Sequence, residues 1–185
     1  MENLTRIIIV KVYELLSEDA TIPQLQQNIQ RGFPDTKKRQ HATNEVRITS
    51  IKYIPAQGLN VLKVESTTAS TNGNQHSQLI NFRNANLHGN SDTGVKVETP
   101  EGKEFTMDPL KLNTTNVGVY CDCEDYMMRF AAFNIQNKCH LGPPPPPYTR
   151  KTTTRPEANP SHVPGMCKHL LKVVDETQRV GILTR

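Results

Sequence analysis

The sequence predicts an α+β protein, a small antiparallel β-rich body with N-terminal helices and a C-terminal strand–helix–helix module. Three observations predict it. Apolar residues before Glu45 recur at helical spacings of three and four. From Val46 to Tyr120 they fall in short β-branched runs punctuated by Pro and Gly turn residues. Beyond that, two short pairs, Cys121-Asp122-Cys123 and Cys167-Lys168-His169, frame helical patterns. The chain therefore divides into a helical segment 1–44, a β-rich body 45–118 and a module 119–185 that carries an inserted proline-rich arm, 142–164.

The 185 residues suffice for one or two domains. With aromatic residues at 5% and no Trp, the core must come from Val, Ile and Leu and will be modest, so a metal staple would matter here. A net charge of +4 permits contact with nucleic acid or an acidic partner without requiring it. Ile7-Ile8-Ile9-Val10 is interrupted by Lys11 and is too short to cross a bilayer or to serve as a secretion signal, so a soluble protein with no membrane partner is expected.

Leu4, Ile7, Ile8, Tyr13, Leu15 and Leu16 can share one broad helical face, although the β-branched run would also suit a strand. A second helix begins at Thr21, with Pro23 in its first turn and Leu25, Ile29 and Phe33 four apart, and ends at Pro34. Thr36 to Gln40 is a basic loop. Val46 to Tyr53 and Val61 to Ser66 form a hairpin about Pro55-Ala56-Gln57-Gly58. Ala69 to Gln75 is small and polar and is expected to be a mobile connection. Leu79 to Phe82 is a third strand, and Asn84 to Gly94 a polar loop. Val95-Lys96-Val97-Glu98-Thr99 alternates, turns at Pro100-Glu101-Gly102-Lys103 and returns through Glu104 to Met107 as a hairpin. Val117 to Tyr120 is the strand that leads into the first cysteine pair.

Glu124 to Asn137 is amphipathic, with Tyr126, Met127, Phe130, Phe133 and Ile135 reading as core and not as a cofactor face. Gly142 and the prolines Pro143 to Pro147 form an extended polyproline rod, a spacer or surface arm that could also dock an aromatic groove. Leu170-Leu171-Lys172-Val173-Val174 begins a last helix, and Cys167 falls in its first turn, where the dipole favours a thiolate.

Cys121, Cys123, Cys167 and His169 are three thiols and an imidazole, the donor types that close a structural zinc site. The thiol count is odd, which suits a metal better than a disulfide framework and points to a reducing compartment. A histidine ligand and the lack of a C-x₂-C run favour zinc over an iron–sulfur cluster. The spacer of residues 124–166 is no obstacle: closing a loop costs about 0.6 kcal/mol more per doubling of its length, against apparent zinc binding of roughly 10–16 kcal/mol in finger peptides. Cys139 is the alternative fourth ligand, in place of His169, or else a small buried hydrophobe.

The C-x-C, variable spacer and C-x-H before a helix resemble the SWIM zinc module over Tyr120 to Val174. The resemblance implies that Cys121, Cys123, Cys167 and His169 hold Zn2+ as a structural ion. The spacer departs from the pattern in its length and in carrying a second pair, Cys139-His140. The segments Cys121 to Tyr126 and Asn159 to Leu170 also resemble stretches of tailed-phage virion proteins. That likeness implies a tail, neck or baseplate component of the virion, assembled in the bacterial host cytoplasm, whose partners are other virion proteins or copies of itself.

Enzymatic function is not expected. A catalytic zinc keeps an open position, whereas four ligands are on hand here. Cys139 and His140 are adjacent and lack a third orienting group, so they make a poor nucleophile–base pair. No catalytic residue, cofactor-binding residue or small-molecule substrate is assigned. His41, His76, His88 and His162 are expected in solvated polar loops. The competing expectation is a SWIM-like nucleic-acid module, with Lys37-Lys38-Arg39, Arg150-Lys151 and Arg155 on phosphates; few aromatics accompany them for stacking.

Overall fold

A four-stranded antiparallel sheet in the order β1-β2-β3-β8 forms the body of the computed structural model, which describes residues 20–32, 43–89, 94–145, 154 and 157–185. Its strands are β1 (Val46–Ala56), β2 (Val61–Ser70), β3 (Gln75–Phe82) and β8 (Val117–Cys121). Several sequence expectations lie outside the described residues. They are the helix over Leu4 to Leu16, the end of the second helix at Phe33-Pro34, the loop at 36–40, His41, Pro146 to Tyr148, and Arg150, Lys151 and Arg155.

Strand pairing explains the chemistry of the sheet's buried face. Alternate residues of a strand point the same way, and the register sets Leu62 opposite Phe82, Val64 opposite Ile80 and Ser66 opposite Gln78. On the next strand Phe82 faces Val117, Ile80 faces Val119 and Gln78 faces Cys121. All of these residues are buried. The face is thus apolar at one end and grades into Ser66, Thr68, Gln78 and Cys121 at the other.

Helix α1 (Ile22–Gly32) starts where the sequence predicts. The Thr21 N–H donates to Gln24 Oε1 at 2.8 Å, half of a capping box. Ile22, Leu25 and Ile29 point into the core. Ahead of the helix, Ala20 accepts a bond from Val117 N–H, which ties the N-terminal segment to β8. The last helix, α4 (Lys168–Arg179), packs on β1, β3 and β8 and buries Leu170, Leu171, Val173, Val174 and Thr177. Between them lie two six-residue helices, α2 (Glu124–Arg129) and α3 (Ala131–Gln136).

A second sheet, β4-β6-β5, holds β4 (Leu87–Gly89), β5 (Val95–Glu98) and β6 (Glu104–Met107). The β5–β6 hairpin forms where predicted, its first strand ending at Glu98, one residue short of Thr99, and it closes from Glu98–Glu104 with Gly102 at a φ of 76°. A short parallel pair, β7 (Leu110–Lys111) with β9 (Leu183–Thr184), pins the chain's end. One hydrophobic cluster runs through α1, both larger sheets and α4. The predicted α+β class, with its antiparallel sheets and C-terminal helix beside the cysteines, is the class observed.

Three local expectations change. Ala69 to Gln75 is no loose connection: β2 continues to Ser70, β3 starts at Gln75, and Ser70 N–H donates to Asn74 O at 3.0 Å across a tight turn with Gly73 at a φ of 82°. Polar composition suggests a loop there, yet backbone pairing across the hairpin suffices to make Ala69 and Ser70 strand. The loop Asn84 to Gly94 contains β4. The helix expected over Glu124 to Asn137 breaks at Phe130, whose ring is fully buried and faces Gly165.

That contact yields a test. A Cβ on Gly165 would sit 2.7 Å from two Phe130 ring carbons and 3.2 Å from Ile29. Because the ring has nowhere to swing, Gly165→Ala is expected to cost about 1–3 kcal/mol, read as a lower urea midpoint with an unchanged slope.

Candidate metal centre

Each sulfur and the imidazole are placed by a chain terminus of regular structure. Cys121 is the last residue of β8, and Cys123 is the N-cap of α2 with an extended backbone at φ −68° and ψ 148°. In extended chain, residues two apart share a side, so both thiols of C-x-C face inward while Asp122 faces out. Cys167 likewise caps α4 at φ −81° and ψ 169°, one residue before the helical turn in which the sequence places it. Two residues apart within a helix would diverge; the extended cap turns the Cys167 thiol toward His169 instead.

The donor atoms of Cys121, Cys123, Cys167 and His169 all lie within 4.8 Å of one another. The four residues are between 0% and 4% exposed. All the cysteines are free thiols. Ligand bonds of about 2.0–2.3 Å at tetrahedral angles would put two donors on one ion about 3.3–3.8 Å apart, so this set closes on an ion with movements of up to about an ångström. Cys167 Sγ and His169 Nδ1, 3.9 Å apart, are nearly there. These residues can hold a metal ion.

Electrostatics sharpen the point. Burial pushes the Cys121 and Cys167 thiols well above the ordinary range. Cys123 is shifted the other way, held well below that range chiefly by hydrogen bonds from the Cys121 and then the Cys167 thiol. The Tyr126 backbone N–H adds a further bond to Cys123 Sγ at 3.3 Å. A cation at the centre of the cluster would favour the thiolate form of each of these sulfurs.

The imidazole is oriented by its own contacts. Its Nδ1 lies 3.9 Å from Cys167 Sγ, and its Nε2 lies 2.9 Å from Ser70 Oγ. Nδ1 is thus the nitrogen that faces the thiols. Against the ring packs His76, with centroids 4.6 Å apart, and Asp122 holds His76 Nδ1 at 3.3 Å while accepting the Ser77 N–H at 3.0 Å.

Cys139, the alternative ligand, is buried but stands outside this group. Its carbonyl accepts a bond from Val119 N–H, and burial pushes its thiol up to about 12, the behaviour of a packed hydrophobe. His140 turns to Tyr126, whose hydroxyl is 3.0 Å from Nδ1. The expectation of solvated loop histidines is corrected in part: His76 lies on β3 and His88 on β4, the latter 2.8 Å from Asp108. His162 does sit in a loop, beside Glu157 at 2.9 Å and stacked on Phe133. Ser70, Gln78 and His76 surround the centre and were invisible in the one-dimensional pattern, because only the strand register brings them to the cysteines.

Comparison with protein-family models, curated proteins and solved structures finds no match to this chain.

Two outcomes follow from the cluster's charge. Because burial raises the Cys121 and Cys167 thiols, metal uptake at neutral pH should release protons, measurable with a pH indicator in weak buffer. Protons compete with the ion for every donor, so metal retention is complete above neutrality and lost on acidification. Cys123→Ser should abolish stoichiometric binding and lower the melting temperature of the metal-loaded protein to that of the metal-free form.

Proposed function

We propose that this chain is a non-enzymatic structural and assembly protein whose C-terminal module is clamped by a structural zinc ion. The observation that carries this reading is the completeness of the donor set, three sulfurs and one nitrogen, all buried. A catalytic site keeps one position open to water or substrate. Zinc suits the set because thiolates with imidazole select it over the oxygen-loving cations. Bound, the ion would offset the charge of three thiolates and join the end of β8 to the starts of α2 and α4.

The likeness of the cysteine segments to tailed-phage virion proteins supplies the setting: a tail, neck or baseplate subunit contacting copies of itself or other virion chains. Proteins of that kind work in symmetric arrays. Among the described residues no helix is long and apolar enough to cross a membrane.

One equivalent of zinc per chain is expected in the purified protein by elemental analysis, with chelation lowering the melting temperature by many degrees. The chain should also be found by mass spectrometry in purified particles at a fixed copy number. Zinc-loaded protein that binds DNA at low salt, and loses it steeply as salt rises, would instead establish the SWIM-like nucleic-acid role.

A further inference from the structure

The β2–β3 hairpin contributes no ligand to the four-donor cluster, yet two of its side chains reach it. Ser70 Oγ is 2.9 Å from His169 Nε2, and Gln78 Nε2 is 3.7 Å from Cys121 Sγ. We infer that Ser70 and Gln78 are positioning residues of the metal centre, one fixing the tautomer of the ligand imidazole and the other donating to a ligand sulfur. The inference rests on the metal reading given above and names the parts of the chain that set how tightly the ion is held.

For Ser70 the logic is one of proton placement. A nitrogen that binds a metal must present its lone pair, so with Nδ1 facing the thiols the ring proton belongs on Nε2. Ser70 Oγ is the acceptor in line for it. The oxygen is fixed by the tight turn, in which Ser70 N–H donates to Asn74 O at 3.0 Å and Ser70 O accepts from Gly73 N–H at 2.9 Å. An imidazole whose outer N–H is held in this way has its inner nitrogen aimed at the ion.

For Gln78 the orientation of the amide decides the matter. Its Nε2 lies 2.8 Å from the carbonyl oxygen of His76, which can only accept, so the amide nitrogen must be on that side. Ser66 Oγ donates to the other end, Oε1, at 2.9 Å. The two amide hydrogens are then shared among three acceptors, His76 O, Thr68 Oγ1 at 3.0 Å and the Cys121 sulfur at 3.7 Å, the sulfur taking the longest contact. Gln78 is 1% exposed, and burying an amide that deep is costly unless its hydrogens are used. Directly opposite Cys121 in the register, it is the residue best placed to spread the charge of that thiolate.

The test is zinc affinity of the full chain, measured by competition with a chelating indicator, together with the absorption of the cobalt-substituted protein. Ser70→Ala should weaken zinc about 10–100-fold, with the urea midpoint of the metal-free protein unchanged, and Ser70→Thr should restore the affinity. Gln78→Glu keeps the shape but turns an oxygen toward the sulfur; it should weaken zinc and shift the sulfur-to-cobalt charge-transfer band, which loss of packing alone would not move. Wild-type protein that takes up no zinc would overturn the metal reading and this inference together. Wild-type protein that binds zinc while Ser70→Ala or Gln78→Glu holds it within twofold would overturn that residue's assignment alone.

Discussion

Three buried thiols and an imidazole packed within 4.8 Å form the constraint on which the rest of this structure depends. Such a group is not a comfortable core. Sulfurs this deep are pressed toward the neutral thiol, as Cys121 and Cys167 are, while Cys123 is drawn to the thiolate by its neighbours. A buried negative charge is expensive unless something positive is beside it. A metal ion held by these residues would resolve the conflict. The thiols are presented by extended residues at element ends, and two of the three cap helices, where the helix dipole favours negative charge.

The long spacer between the two ligand pairs needs its own fastening, because a metal fixes its ends and nothing in between. Two buried asparagines supply much of it. Asn134 exchanges two bonds with the backbone of Gly165, at 2.9 and 3.0 Å. Asn159 donates to the carbonyls of Arg129 and Val163 at 2.8 Å each. The segment returning to Cys167 is thereby bound to α2 and α3 through its backbone, just before it enters α4. Asn28 of α1 adds a bond to Pro164 O at 3.1 Å, so the N-terminal helix grips the same segment. Carboxamides suit this task since they satisfy irregular backbone that has no strand or helix partner.

What could be read in one dimension was whatever depended on local pattern. The β5–β6 hairpin, the start of α1 at Thr21 and the four-donor set follow from alternation, capping and spacing. Residues of the surrounding shell did not, because Ser70 and Gln78 meet the site only through pairing of β2, β3 and β8. Ser66, Thr68 and Gln78 line the buried face beside the sulfurs, which polar composition alone does not indicate. A polar residue inside a sheet is costly in isolation and reasonable beside a charged centre, and the sequence does not announce which neighbour it will have. The break at Phe130 was hidden for a related reason: the helical period runs straight through it, and only the demand of its ring for a place against Gly165 interrupts the helix.

The same geometry separates the part of the chain that holds the site from the part free to vary. The spacer leaves the centre through Cys139 and His140, where His140 is bridged to Val119 and 3.0 Å from the Tyr126 hydroxyl. It re-enters at Asn159, tied to Arg129. Everything needed to place Cys167 is therefore secured on the return side, and everything needed to place Cys121 and Cys123 is secured on the outgoing side. Residues between these two moorings can change in length and composition without displacing a ligand, since loop closure depends only weakly on length. The contacts that moor the outgoing and returning chain thus lie outside the interval between His140 and Asn159.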